Sequence, residues 1–369
     1  MTKQKGLSTF LYALLQVALG KRDCLPYVPS EREWELLWRV ADKQTVAGIC
    51  FYAMERLPKE QLPEKKTIFK WYSYSQHVEQ QNREIAVKTK ETYDFFCSLG
   101  LKPVILKGMG MAKCYKDGNE NDNFNKFGKL GLRRQCGDID VWVKCGRRKL
   151  YEIAKKHSED GKLKGATYHH IHFPMFSDIE VEAHIYPTYF YNPFTNSKLH
   201  SFFKRYELRE NEMFPSAEFN RVYILIHCFQ HLIGHGVGLR QVMDYYFVLN
   251  EGLTEEGKRN TVCWLKRLGM MRFAAGMMWI MKELFLLEDE KLLTAPDEKE
   301  GRFILEDIWM AGNMGHGETR DWGSLATPLS RFLYSVRRDC HFITHYPHEV
   351  AWQPLFNIWV FIHQKLVWK

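Results

Sequence analysis

Gly137-Asp138-Ile139-Asp140-Val141-Trp142-Val143 sets two acids among alternating apolar residues. Ile139, Val141 and Val143 alternate with the period of a strand that buries one face. Side chains two apart leave a strand in the same direction, so Asp138 and Asp140 share the opposite face. Carboxylates held that close raise each other's proton affinity unless a cation lies between them. Lys107-Gly108 precedes this stretch. Val181-Glu182-Ala183-His184 follows it, inside a second strand-like run from Ile179 to Ile185. Three acids on two strands beside a glycine turn are therefore expected, and such oxygen donors suit a hard ion such as Mg2+.

Working outward, residues 6–98 read as helical, broken at Pro26, Pro29, Pro58 and Pro63. Ile68, Trp71, Tyr72, Val78, Ile85, Tyr93 and Phe96 recur at helical spacing up to Gly100. Pro103 to Leu106 is a short buried strand running into Lys107-Gly108-Met109-Gly110, with a helix expected through Ala112 to Tyr115. Asn, Gly and Lys crowd the segment from Asp117 to Gly131, the composition of a mobile loop. A helix near Arg147–His157 and strands around Tyr168–Phe173 and Ile179–Tyr186 follow. Helical periodicity returns over Val222–Gly234, Leu239–Leu249 and Thr261–Leu287, and again, rich in Trp, Phe, Tyr and Arg, over 300–369. The expected class is α+β, a small mixed-sheet core over 100–215 between helical regions over 1–99 and 216–369.

The 369 residues carry a formal net charge of +8. That excess favours phosphate-rich ligands or acidic surfaces without demonstrating nucleic-acid binding. Nine cysteines lie scattered with no CxxC pair, which excludes a zinc ribbon or disulfide framework and suits a reducing cytoplasm. The apolar run from Leu7 to Leu19 is interrupted by Gln16 and lacks a small-residue cleavage site, so it reads as an amphipathic helix rather than a signal peptide. No apolar run reaches the length of a membrane span.

The order of strand, Lys-Gly turn, helix, Asp-x-Asp strand and later Glu strand resembles the nucleotidyltransferase superfamily. Ile105-Leu106-Lys107-Gly108, the Arg133…Gly137-Asp138-Ile139-Asp140 run, Val181-Glu182-Ala183-His184 and Gly238-Leu239-Arg240-Gln241-Val242-Met243-Asp244 are similar to an uncharacterised bacterial nucleotidyltransferase family. The resemblance implies attack of an acceptor on the α-phosphorus of an NTP, with pyrophosphate leaving. Asp138, Asp140 and Glu182 would be the catalytic metal ligands for Mg2+, with Mn2+ as the alternative ion; Glu182 has the further option of general base. Lys107, Gly108, Gly110, Arg133, Arg134 and His184 would contact the nucleotide. The superfamily commonly has Ser or Gly after the turn glycine; Met109 stands there in this chain, so no hydroxyl is available to the phosphate.

The acceptor class stays open among a small molecule, a protein and an RNA end. Other readings are a toxin-like transferase acting on tRNA, a non-catalytic nucleotide-binding scaffold, and a histidine-metal hydrolase built on His169, His170, His172 and His184. On strands, histidines are more often hydrogen-bonded or surface groups. His227, His231 and His235 form a stripe four apart that would border an interdomain cleft, and Arg240 and Asp244 are spaced to pair on a helix. The Trp/Phe stripe in 351–368 reads as a packing face, with peripheral membrane contact as its other use.

Overall fold

Both ends of the chain are helical and fold into one another. The computed structural model describes residues 2–116, 127–161, 165, 167–206, 212–315, 318, 320 and 327–367. Helices Thr2–Ala18, Glu31–Lys43, Ala47–Met54 and Lys65–Ser98 precede the sheet. Ser30 starts the second of these with a capping box to Glu33, satisfying amides that a helix end leaves open. Phe10, Leu14, Trp34 and Trp71 from this region share a core with Tyr245, Phe273, Ile304 and Phe342 from the far end. Gln16, the polar interruption in the first apolar run, is buried and donates to the carbonyl of Leu284 at 3.0 Å.

Four strands form the sheet: β1 (Pro103–Ile105), β2 (Ile139–Val143), β3 (His170–Phe173) and β4 (Val181–His184). Their order is β1-β2-β4-β3. β2 runs parallel to β4, while β1 and β3 pair antiparallel at the edges. The α+β class is therefore as expected.

Register separates the chemistry of the two faces. Asp140 pairs with Glu182, Glu182 with His172, and His184 with both Trp142 and His170. Directly paired residues project to the same side, so the acids and histidines gather on one face. The opposite face is Ile139, Val141, Val143, Ile171, Phe173, Val181 and Ala183. Leu150 and Ala154 of helix Arg147–His157, with Ile85 and Phe96 of Lys65–Ser98, cover it.

The sequence pattern predicts a β2 with one face buried, yet all five of its residues are buried. The reason is Trp142, which follows the acids on their own face. Its ring stacks on Phe219 of helix Ala217–Gly234, with centroids 5.8 Å apart and planes 17° from parallel. That helix closes over one end of the polar face and leaves the Asp138 end open.

Helix Pro193–Arg205 starts with Asn192 as its cap, accepting from the amides of Phe194 and Thr195, and with Pro193 in its first turn. The single helix expected over Thr261–Leu287 is two, Glu255–Arg267 and Met271–Phe285, separated at Gly269 with φ +68°. Helices Glu298–Ala311, Pro328–Phe342, Pro347–Val350 and Gln353–Val367 complete the described chain. Most of the loop expected from Asp117 lies outside the described residues; Lys129–Leu132 forms one helical turn. Among the described residues no helix is long and apolar enough to cross a membrane.

Candidate active site

The Lys107-Gly108 turn sits against the first acid of the Asp-x-Asp strand. Leu106 donates to the carbonyl of Asp140 at 2.9 Å, which carries strand pairing up to the turn itself. Gly108 has φ +60° and ψ −114°, a backbone conformation that side chains forbid. A Cβ there would also stand 3.1 Å from the carbonyl oxygen of Asp138. The expected following helix is a single turn, Met109–Ala112.

Lys107 supplies the cation that the two aspartates need. Its Nζ lies 3.3 Å from Asp138 Oδ2 and 3.0 Å from Asp140 Oδ2. Asp140 is fully buried, and its Oδ2 has no aligned hydrogen bond despite that nearby charge. Its other oxygen, Oδ1, is 2.8 Å from His184 Nε2, which is itself 3.4 Å from Glu182 Oε2. Asp140 thus links a lysine-bridged pair to a histidine-bridged pair.

Burial sets the ionisation of this cluster, and neighbouring charge redistributes it. Burial and the adjacent Asp138 raise Asp140 to about 6, against the opposing pull of Lys107 and the His184 hydrogen bond. For Glu182, burial favours the neutral acid, but the hydrogen bond to His184 and the charges of His184, Lys107 and His170 win and keep it ionised well below the usual range. Burial also disfavours charge on His184, yet bonds to Asp140 and Glu182 lift it to about 9. Burial and His184 press His170 down to about 4. Lys107 is held charged by Asp140, Asp138 and Glu182 in spite of its burial.

A cavity of about 490 Å3 opens above these groups. Lys107, Gly108, Asp138, Glu182, His169, His170 and His184 line its sheet side. Ile224, His227, Gln230 and His231 line the wall from helix Ala217–Gly234, and Arg240 and Gln241 enter from helix Leu239–Asn250. The expected His227, His231, His235 stripe does border this cleft.

The predicted nucleotide contacts divide. Lys107, Gly108, Arg134 and His184 reach the cavity, with Asp140 buried beneath it. Gly110 packs instead under Phe214 and the carbonyl of Ile105, outside the cavity lining. Arg133 faces the other way and is 1% exposed, held by Glu55 and by Glu79 at 2.7 Å. Arg134 lines the cavity, but its guanidinium forks onto Asp244, Nε to Oδ1 at 2.6 Å and Nη2 to Oδ2 at 2.5 Å. Tyr115 donates its hydroxyl to the same carboxylate at 2.8 Å.

That fork takes the carboxylate that spacing on the helix offers to Arg240, and it leaves Arg240 at the cavity without an ion-pair partner among the described residues. Arg240 donates Nη1 to the carbonyl of Gln135 at 2.5 Å, and its buried Nε has no partner. Burial and the Arg134 charge both work against its own charge. A cavity-lining guanidinium without a carboxylate is a cost to the protein by itself and a ready receptor for an anion.

Donor atoms also converge as metal sites require. Asp140, Glu182 and His184 bring one donor each within 4.8 Å of one another, as do His169, His170 and His184, and His170, His172 and Glu182. Asp138 belongs to none of these groups; it joins the cluster through Lys107. The Oδ2 of Asp140, buried beside Lys107 beneath the cavity, nevertheless fits a hard cation, since it is an oxygen donor lacking an aligned proton.

The model of a family described as uncharacterised nucleotidyltransferase matches residues 30–286. No curated protein and no solved structure matches the chain. The match spans the long N-terminal helix, the whole sheet and the helices that wall the cavity, and the chain belongs to this family.

Proposed function

We propose that this member of the uncharacterised nucleotidyltransferase family moves a nucleoside monophosphate from an NTP to an acceptor with release of pyrophosphate, assisted by Mg2+ or Mn2+. The observation that carries the reading is the in-register pairing of Asp140 with Glu182, beside Asp138 and the Lys107-Gly108 turn, at the base of one cavity. A divalent ion held by Asp138, Asp140 and Glu182 would supply charge stabilisation to the entering and leaving oxygens. The depressed affinity of Glu182 for protons suits a ligand better than a general base, which works best near the operating pH.

The remaining roles belong to the chain's own cations and backbone. Lys107 neutralises Asp138 and Asp140 in the free protein and is 20% exposed, so it can turn from them to a phosphate when an ion takes its place. Gly108 leaves room for the triphosphate to approach the turn backbone. Arg240, whose Nη1 is held by the Gln135 carbonyl and whose Nε has no partner, offers its guanidinium charge to phosphate oxygens from the opposite wall. Arg134 acts one step back, since its bond to Asp244 fixes the helix that carries Arg240.

The test is incubation with each NTP, Mg2+ or Mn2+ and a cell extract as the source of acceptor, reading pyrophosphate. Wild-type protein should release it, and Asp138→Asn/Asp140→Asn should lose at least about 100-fold of that rate, the scale of a lost electrostatic stabiliser. Undiminished release by the double variant contradicts the assignment.

A further inference from the structure

Helix Gln353–Val367 is apolar on two sides. Its inner side, Gln353, Phe356, Val360 and His363, turns toward the body, where the Phe356 ring stacks on Tyr189 with centroids 5.2 Å apart and planes 9° from parallel. Its outer side is Leu355, Ile358, Trp359 and Ile362, at the spacing of one helix face and each 45–57% exposed. Phe194, which is exposed and meets Trp352 edge-on at 5.9 Å, extends this patch. A contiguous apolar surface of this kind marks a place that another molecule covers.

The flanks of the patch are basic. Helix Arg147–His157 carries five lysines and arginines against one acid, Glu152, and helix Pro193–Arg205 carries three and no acid. Both abut the apolar helix, which itself holds no acid. Arg147 donates to the Tyr168 carbonyl at 2.8 Å and contacts His363, and the Tyr168 ring meets Trp359 edge-on at 5.1 Å. Asn196, Ser197 and His200 line a recess of about 480 Å3 together with Trp352, Leu355 and Trp359. Beside these contacts Arg148, Lys149 and Lys198 are exposed, and of the three only Arg148 meets an acid, Glu152, among the described residues. We propose that this face docks on an anionic lipid bilayer, the apolar stripe entering the headgroup boundary and the lysines and arginines meeting the headgroup charges.

Length and charge select this occupant. The 15 residues of the helix span about 22 Å, short of a hydrocarbon layer roughly 30 Å thick, so the helix lies along the surface instead of crossing it. Trp, Leu and Ile on one side with lysine and arginine beside them is the composition of such interfacial helices. A second copy of the chain is the poorer cover. A two-fold contact sets the same patch on both subunits, so the basic helices would face each other on chains that each carry a net charge of +8. Anionic headgroups reverse the sign of that interaction. Docking here needs no nucleotide and does not rest on nucleotidyl transfer.

The test sediments full-length protein with vesicles of phosphatidylcholine alone and of equimolar phosphatidylcholine and phosphatidylserine. Partition onto the phosphatidylserine vesicles should be at least about 10-fold stronger, and should weaken by at least about 10-fold in about 1 M salt, where the Debye length is about 3 Å. Ile358→Asp/Ile362→Asp and Arg148→Gln/Lys149→Gln should each lower binding to these vesicles by at least about 10-fold. All four positions are exposed, so thermal melts should match wild type; Ile358→Ser/Ile362→Ser replaces the aspartate variant if that one melts lower. The proposal is overturned if wild type stays off the phosphatidylserine vesicles, if it binds both vesicles equally, or if either folded variant binds as tightly as wild type. It is also overturned if light scattering finds a vesicle-free dimer that Ile358→Asp/Ile362→Asp dissociates, since a second copy then covers the stripe.

Discussion

Replacing Asp244 by Asn tests how the cavity is held together. Arg134 and Asp244 are each 4% exposed and joined through two bonds of 2.5–2.6 Å, with the Tyr115 hydroxyl on the same carboxylate. Asn keeps the volume but removes the charge and turns its amide protons against guanidinium protons. A buried arginine is then left unpaired, at a cost of about 3–5 kcal/mol. With an unfolding entropy of roughly 2.1 cal/mol/K per residue, 369 residues give about 0.8 kcal/mol/K, so the melting temperature should fall by about 4–6 °C. Differential scanning calorimetry of Asp244→Asn reads this directly. Arg134→Met/Asp244→Leu removes both charges and should melt above Asp244→Asn, because no orphaned charge remains. A melting point for Asp244→Asn within about 1 °C of wild type, or a double variant that melts lower than the single one, would mean that the Arg134–Asp244 pair does not hold the cavity together.

Other changes follow from single contacts. Arg240→Gln should leave the melting temperature near wild type and weaken NTP binding by roughly 10–100-fold, the value of a hydrogen-bonded charge; Arg133→Gln, held by Glu55 and Glu79, should do the reverse, and isothermal calorimetry beside thermal melts separates them. Gly108→Ala forces a side chain into φ +60°, ψ −114° and toward the Asp138 carbonyl, so it should cost about 1–3 kcal/mol and reduce NTP affinity in the same binding assay. Asp339 has both carboxylate oxygens buried without partners, and burial raises it to about 7. A carboxyl raised in the folded state adds stability that is complete below its unfolded value near 3.8 and lost as pH climbs through 7. Asp339→Asn should therefore stabilise the protein by about 1–2 kcal/mol at pH 8, allowing for solvent screening, and by nothing at pH 3; chemical denaturation at the two pH values checks it.

The strands and the longest helix were legible because their periods are local. Ile139, Val141 and Val143 alternate, and the Lys65–Ser98 helix carries apolar residues at helical spacing up to its end. Helix Pro193–Arg205 has no comparably clean stripe, although Asn192-Pro193 is a start signal that would have located it. Partner choice was the illegible part. Arg133 and Arg134 are neighbours in sequence, yet they leave the chain in opposite directions toward acids 54, 78 and 110 residues away. Spacing on one helix suggested that Arg240 would pair with Asp244, and only the folded chain reveals that Arg134 takes that carboxylate. The acids could be grouped from the sequence, since Asp138, Asp140 and Glu182 lie on alternating strands. That Lys107 stands between the aspartates, and that His169 turns to join His170 and His184, depends on sheet register and on where β3 begins.

The proposed nucleotidyl transfer makes the α-phosphorus of an NTP the reacting centre at the Asp138, Asp140 and Glu182 cluster. Parallel reactions with α-labelled and γ-labelled NTP, in Mg2+ and cell extract, test it most directly. The expected outcome is acceptor labelled from the α position only, pyrophosphate released in equal amount, and both lost in Asp138→Asn/Asp140→Asn. Label passing to the acceptor from the γ position, or α-label transferred undiminished by the double variant, would contradict it.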